Sequence, residues 1–323
     1  MDAFRVLLPG PYTTVQDKGR YGYQQFGIPP AGALDPFAYR VANLLVGNPE
    51  DAAVLETTIA GPRLEVLAEA DVAVTGAQAA IRLNDQPMAC WASFRVQPGD
   101  LLNVGQVKSG CRSYIAVTGG IAVPLVMNSR SCYVGGAIGG HEGRLAAKDD
   151  VLKRFEGKML AATRRLPEVF IPQYPASIIL RAVPGPQDDF FNEGLDLFFE
   201  SEFIVSPDAN RMGYRLEGPK IPHRQDVSKS IISEPSLPGS VQIPPDGRAI
   251  ILLVEQTVGG YTKIATVISS DIPHVAQAKP GDKIRFKRLE LAAAYEAFRQ
   301  QEETLRQIRN QLSAAALATE RPV

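Results

Sequence analysis

RLEVLAEADVAVTGAQAAIRLNDQPMACWASFRVQPGDLLNVG (63–105) is the stretch whose reading decides the fold. It holds short runs rich in Val, Ile and Leu: RLEVL (63–67), DVAVTG (71–76), AIRLN (80–84) and LLNVG (101–105). Runs of this length, bounded by turn residues, fit a pleated, half-buried surface and read as strands. NDQP (84–87) and QPGD (97–100) read as turns. In the latter, Pro presets φ and Gly supplies the positive φ that other residues resist. The same pattern continues outward in RSYIAVTGG (112–120), SIILRAV (177–183), EFIVS (202–206), RAIILLVEQ (248–256) and DKIRF (282–286), with a further turn at KPGD (279–282). Strand spacing of this kind predicts a mainly β protein, a barrel or a sandwich.

Helix is confined to two places. DPFAYRVANLLVGN (35–48) carries Phe37, Val41, Leu44 and Leu45 on one face, with Asp35 as cap, Pro36 at the first helical position and Gly47 as terminator. From Leu291, the residues Tyr295, Phe298, Leu305, Ile308 and Leu312 form the stripe of an amphipathic C-terminal helix, which lies on the protein's own surface or meets another subunit. A charged stretch, KRFEGKMLAATRRLPEVFIPQYP (153–175), reads as an interdomain connection. The expected organisation is an N-terminal β-rich lobe (1–170), a C-terminal β-barrel lobe (171–288) and a helix with its tail (289–323). GPRL (61–64) echoes GPKI (218–221), and QPGDLLNV (97–104) echoes KPGDKIRF (279–286), as two diverged halves would.

Composition removes several functional classes. The 323 residues are 45% hydrophobic and 21% charged, with net charge −1, so nothing advertises a nucleic-acid or anionic-membrane partner. Three cysteines without a CxxC argue against a disulfide framework and fit a reducing compartment. The apolar stretch before Pro9 is too short for a signal peptide, and the expected location is cytoplasmic. There is no GxSxG elbow and no GxxxxGK[ST] phosphate loop. The three histidines, His141, His223 and His274, have no metal spacing, and no metal is expected. GGAIGGHEG (135–143) is either a flexible loop or a backbone nest facing an anion.

Three polar, Gly-rich blocks are not explained by core packing. GPYTTVQDKGRYGYQQFGIPPAGALD (10–35) can present Thr13, Thr14, Gln16, Asp17 and Arg20 to a ligand. A bracing network with Asp17 paired to Arg20 is the other reading; it is favoured for Asp17 and left open for Arg20. In NRMGYRLEGP (210–219), Arg211 and Arg215 flank a Gly-Tyr pair, and guanidinium forks suit carboxylate or phosphate. In VQIPPDG…LLVEQTVGGYTKIA (241–265), a strand runs into Gln256, Thr257, Gly259, Gly260 and Tyr261. Adjacent glycines let a backbone approach a ligand closely, or simply make a bulge.

Together these blocks resemble the family named for the 5-oxoprolinase C-subunit (PxpC), KipA and allophanate hydrolase subunit 2. The first block with RVANLLVGNPEDAAVLE (40–56), the central GCRSYIAVTGGIAVPLVMNSRSCY (110–133), and the last two blocks are collinear with it over about 5–287. There are departures. The family's Asp-x-Gln-Thr-Thr-Gly-Gly-Tyr has Val254 for Asp and Val258 for the second Thr, and its Gly-Ser-Arg-Ser-Thr is Asn128-Ser129-Arg130-Ser131-Cys132 here. The missing carboxylate bears on substrate or activity, unless Val254, inside an apolar run, is a packing change.

The resemblance implies two cyclophilin-like β-barrel lobes with few helices. It implies a partner of the B-subunit, KipI or allophanate hydrolase subunit 1 type, and a third lactam-hydrolase-like protein. With these, the chain would take part in opening 5-oxo-L-proline to L-glutamate with ATP, together with Mg, and would be inactive alone. A second implied role is the carboxyltransferase subunit of a biotin-dependent urea or amide carboxylase, with biotin carried on another protein. A third is a regulator that sequesters a KipI-like kinase inhibitor. In either enzyme an unreactive amide must be oriented and its developing charge stabilised by fixed donors. Arg20, Arg211 and Gln256 are the candidate catalytic residues, and Thr14, Gln16, Tyr214, Thr257, Gly259, Gly260 and Tyr261 the candidate substrate-binding residues.

Overall fold

The computed structural model describes residues 1–319, with side chains through residue 313; the end of the expected tail, 320–323, lies outside the described residues. Two compact units divide the chain. One comprises Met1–Arg20, Ala31–Gln173 and the residues from Glu302; the other comprises Tyr21–Pro30 and Tyr174–Gln301. The protein is mainly β, with two sheets and, among the described residues, four α-helices.

In the first unit the strands are β1 (Asp2–Leu8), β2 (Thr13–Gln16), β3 (Val54–Thr58), β4 (Arg63–Val66), β5 (Ala70–Leu83), β6 (Gln86–Met88), β7 (Ser93–Val96), β8 (Leu101–Val117) and β9 (Val151–Lys153). They pair in the order β2-β3-β8-β4-β1-β9, while β5 joins β8 and carries β6 and β7, giving a half-barrel. Phe4, Val6, Leu64, Val72, Leu102 and Ile115 fill its interior. Each such side chain contributes about 1.5–3 kcal/mol by leaving water.

Two pairs of expected runs are fused. DVAVTG and AIRLN form the single strand β5, and LLNVG and RSYIAVTGG form β8. Gly76 (φ 84°) and Gly110 (φ 76°) bend these strands rather than ending them. Register shifts between Gly76 and Ile81 absorb the bend, as β-bulges do. NDQP makes a two-residue hairpin turn: Asn84 (φ 48°) and Asp85 (φ 66°) are both left-handed, and Leu83 pairs with Gln86.

Helix α1 (Pro36–Leu45) starts as its sequence dictates, with Asp35 Oδ1 accepting from Ala38 N at 2.9 Å and Pro36 opening the first turn. Beyond its end, Gly47 (φ 76°) donates its N–H to Leu44 O.

The second unit contains β10 (Ser177–Pro184), α2 (Glu193–Glu200), β11 (Glu202–Val205), β12 (Gly213–Glu217), β13 (Ser230–Pro235), β14 (Ser240–Ile243), β15 (Ile250–Leu252), β16 (Val258–Val267), α3 (Ile272–Gln277) and β17 (Lys283–Arg288). The order β10-β17-β11-β12-β15-β14-β16 closes on itself because β16 also pairs with β10, while β13 adds to the ring beside β16. Phe198 stacks on Phe286 at 4.4 Å, with Phe203 at the edge of that pair.

The two PGD turns are built alike. Asp100 N donates to Gln97 O, Gly99 N to Val66 O, and Gln97 N to Asp100 Oδ2. Asp282 N donates to Lys279 O, Gly281 N to Val205 O, and Lys279 N to Asp282 Oδ2. The sequence echo is thus also an echo in hydrogen bonding.

Helix α4 (Leu291–Thr319) changes character along its length. Leu291, Tyr295 and Phe298 are exposed, whereas Leu305, Ile308 and Leu312 are buried. Glu302 pairs with Arg40, and Arg309 with Glu50. Packing on the protein's own surface therefore accounts for the later half of the stripe.

Candidate functional site

In the first unit, all four residues of β2 are buried. Gln16 Nε2 donates to Thr14 Oγ1 (2.9 Å) and Cys132 O (3.0 Å), and its Oε1 accepts from Gly32 N (3.1 Å). Thr14 and Gln16 thereby tie β2 to the loop around Gly32 and to the segment following Arg130. Asp17 braces as expected, but not through Arg20. Its carboxylate accepts from Ser129 Oγ (2.6 Å), Ser131 Oγ (2.6 Å), Arg130 N (2.6 Å) and Gly19 N (2.8 Å). Four short donors saturate it, so the guanidinium is left to other partners.

Arg20 is fully buried, and its Nη2 donates to the Ser131 carbonyl. Its Nε and Nη1 have no protein partner. Burial lowers the pKa of this guanidinium against the attraction of Asp17. Gly139 (φ 67°) lies against it, where a Cβ would collide with both Arg20 Nη2 and the Ser131 carbonyl.

Within the 135–143 loop, five backbone amides are engaged inside the protein. The amides of Gly136, Ala137, Ile138, Gly140 and Gly143 all donate to protein carbonyls, so they are not presented to a phosphate. The loop is fastened by Arg144, which grips Asp150 with two bonds of 2.7 and 2.8 Å. These bonds, opposed by burial, hold the Asp150 carboxyl down from 3.8 to about 2. A depressed carboxylate stabilises above its unfolded pKa and loses that contribution as pH falls through the folded one. Between pH 4 and 2 the parent should therefore lose about 1–2 kcal/mol that Asp150→Asn never had, discounting for partial exposure. Melting temperature against pH for both proteins checks this, and parallel curves would refute it.

In the second unit, Arg211 is buried with its Nε 2.6 Å from Glu255 Oε1. Tyr214 is buried, its hydroxyl donating to Ala278 O at 3.1 Å. Gln256, Thr257, Gly259 and Gly260 are half-buried and Tyr261 is exposed. Gln256 Nε2 donates to Val258 O at 2.6 Å. Val254 is buried, as a packing residue would be, and Val258 is exposed.

Thr14, Gln16 and Arg20 thus belong to one unit, and Arg211, Tyr214 and 256–261 to the other. Sequence reasoning passed over a polar cluster around Gly259. Lys263 Nζ lies 2.6 Å from Glu234 Oε1, and Gln187 Nε2 also donates to that oxygen at 3.0 Å. Gln242 and Ser236 are buried beside them. Gln242 stood in the quoted block, but nothing local marked it out. His223 bonds to Thr262 Oγ1 at 2.8 Å. Among the described residues no group of His, Cys, Asp or Glu is placed to hold a metal, and no helix is long and apolar enough to cross a membrane.

Residues 26–288 match the model of the family described as the carboxyltransferase domain, subdomains A and B, and the chain belongs to that family. Within it, the chain is similar to the 5-oxoprolinase C-subunit of Escherichia coli (strain K12), with 38% identity over 308 residues that cover 94% of this chain and 97% of the relative. The C-subunit of the Haemophilus influenzae 5-oxoprolinase is 34% identical over 298 residues, covering 92% and 94%. The crystal structure of the K. lactis urea amidolyase superposes with a TM-score of 0.88 at 32% identity, covering 94% of this chain but 20% of that one. The chain therefore spans about a fifth of that enzyme.

Proposed function

We propose that the chain is a subunit of an ATP-dependent 5-oxoprolinase. With a B-subunit, KipI-like partner and a third lactam-hydrolase-like protein, it activates 5-oxo-L-proline for ring opening to L-glutamate. The observation that carries this reading is sequence similarity. The chain is 38% identical to a 5-oxoprolinase C-subunit over 308 residues, against 34% and 32% for the urea amidolyases of Lachancea kluyveri and Saccharomyces cerevisiae.

This chain's part is to orient the lactam and to stabilise charge as it develops. Two nitrogens of Arg20, Nε and Nη1, have no protein acceptor, and in the other unit Gln256, Thr257 and Tyr261 lie on a partly open segment. Such fixed donors act most strongly where water is excluded. ATP and Mg are assigned to the partner subunit, because the sequence carries no GxxxxGK[ST] phosphate loop. The purified complex should release glutamate from 5-oxoproline with ATP and be indifferent to avidin, while the single chain should show negligible turnover. Full turnover by the single chain would defeat this reading.

A second reading is supported by the family's description and by the urea amidolyase superposition. It is the carboxyltransferase subunit of a biotin-dependent urea or amide carboxylase. Avidin-sensitive, bicarbonate-dependent activity on urea or another amide would establish it over the first.

A further inference from the structure

The first unit carries an open cavity of about 410 Å³ at the 135–143 loop. That volume falls among small-molecule sites, which span roughly 300–1,000 Å³. Its walls are of two kinds. Val123, Val126 and Val151 supply an apolar side, and Gly139, His141, Glu142 and Lys153 line it with polar groups. The loop takes a largely left-handed path, with φ 67° at Gly139, 58° at Gly140, 55° at Glu142 and 68° at Gly143. Turns of this kind can bring successive N–H groups to one concavity. Gly140 N donates to Arg130 O and Gly143 N to Gly139 O, which fastens the turn from within. The amides of Gly139, His141 and Glu142 have no acceptor among the described residues.

Backbone donors left over by the fold and gathered at one cavity favour an acceptor. Lys153 sets the charge of that acceptor. It is exposed on β9, and its ammonium is in no ion pair among the described residues. Glu142 and Asp150, the carboxylates in the loop and just after it, are both held by Arg144, at 2.8 and 2.7 Å. Lys153 is thus the unmatched charge of the cavity, and it calls for an anion. The valines narrow the choice further. An inorganic anion would use the donors and leave the apolar side empty, and a neutral lactam would do the reverse. A carboxylate carried on a compact apolar ring uses both.

We propose that this cavity seats the carboxylate of 5-oxo-L-proline on the amides of Gly139, His141 and Glu142 and on the Lys153 ammonium, with the ring against Val123, Val126 and Val151. The assignment rests on the 5-oxoprolinase reading for the identity of the ligand, and adds to it a seat for the part of the substrate that does not react. Calorimetric titration of the full chain, without partner or nucleotide, tests it with 5-oxo-L-proline, with 2-pyrrolidone (the same ring without the carboxylate) and with inorganic phosphate. The expected result is saturable binding of 5-oxo-L-proline and binding about tenfold or more weaker for the other two. Lys153→Gln should weaken binding of 5-oxo-L-proline about tenfold, and Lys153→Arg should retain most of it. Both variants should melt with the parent, since Lys153 is exposed. In the ¹⁵N-labelled chain, the backbone resonances of Gly139, His141 and Glu142 should move with 5-oxo-L-proline and stay in place with 2-pyrrolidone. No saturable binding of 5-oxo-L-proline, equal affinity for 2-pyrrolidone, tighter binding of phosphate, or unchanged affinity in Lys153→Gln would overturn the assignment. Turnover is not needed, so the two readings fail separately. A complex that releases glutamate while these amides stay silent sinks the cavity and spares the enzyme. Binding here by a chain whose complex leaves 5-oxoproline intact does the reverse.

Discussion

Asp17→Ala is expected to lower the melting temperature by on the order of 10 °C, from a loss of about 3–5 kcal/mol. The carboxylate is buried and takes four donors, two hydroxyls and two backbone amides. Removing it leaves all four without their acceptor, and it removes the negative charge that offsets the desolvation of Arg20. Ser129→Ala and Ser131→Ala each delete one donor and should cost only about 1 kcal/mol. Thermal melts of the three variants check the ranking. A melting temperature for Asp17→Ala within about 2 °C of the parent would mean that the network does not brace the loop.

Arg211→Ala should cost about 3–5 kcal/mol of stability, because it leaves the Glu255 carboxylate buried without its close ion-pair partner. Arg211 and Glu255 are 4% and 10% exposed in their side chains and 2.6 Å apart. Adding Glu255→Gln to Arg211→Ala removes the stranded charge and should recover much of the loss, a coupling that denaturant midpoints of the four proteins measure. An arginine whose job is only to hold an anionic ligand behaves differently. Its removal would leave the midpoint unchanged and reduce turnover of the complex about 10- to 100-fold. Turnover and midpoint measured on the same preparations separate bracing from binding.

The elements legible in the sequence are those set by local chemistry. Asp35, Pro36 and the apolar face behind them specify α1 within a few residues, and the structure follows them closely. NDQP likewise makes the hairpin its residues ask for. Glycines inside β5 and β8 misled the reading of strand ends, since a positive φ serves a bend as well as a terminus. Only cross-strand pairing tells the two apart. The bracing role of Asp17 was legible, but not its partners, because Ser129 lies 112 residues away. The amphipathic stripe of α4 was legible too, although its period could not say that Leu305, Ile308 and Leu312 would be covered and Tyr295 and Phe298 left exposed. At the candidate site, glycines and amides drew attention to 256–261. Gln242 and Ser236 stayed hidden, since what distinguishes them is a missing acceptor, a property of three-dimensional surroundings.

Helix α4 also sets an order of events during synthesis. The unit that begins with β1 includes residues from Glu302 onward. A ribosome must therefore translate the whole of Tyr174–Gln301 before the earlier unit receives its last piece. At roughly 5–20 residues per second, that interval is on the order of ten seconds. The unit begun first is closed last. Throughout the wait, the surface later covered by Leu305, Ile308 and Leu312 stays open on the nascent chain, where a chaperone can reach it.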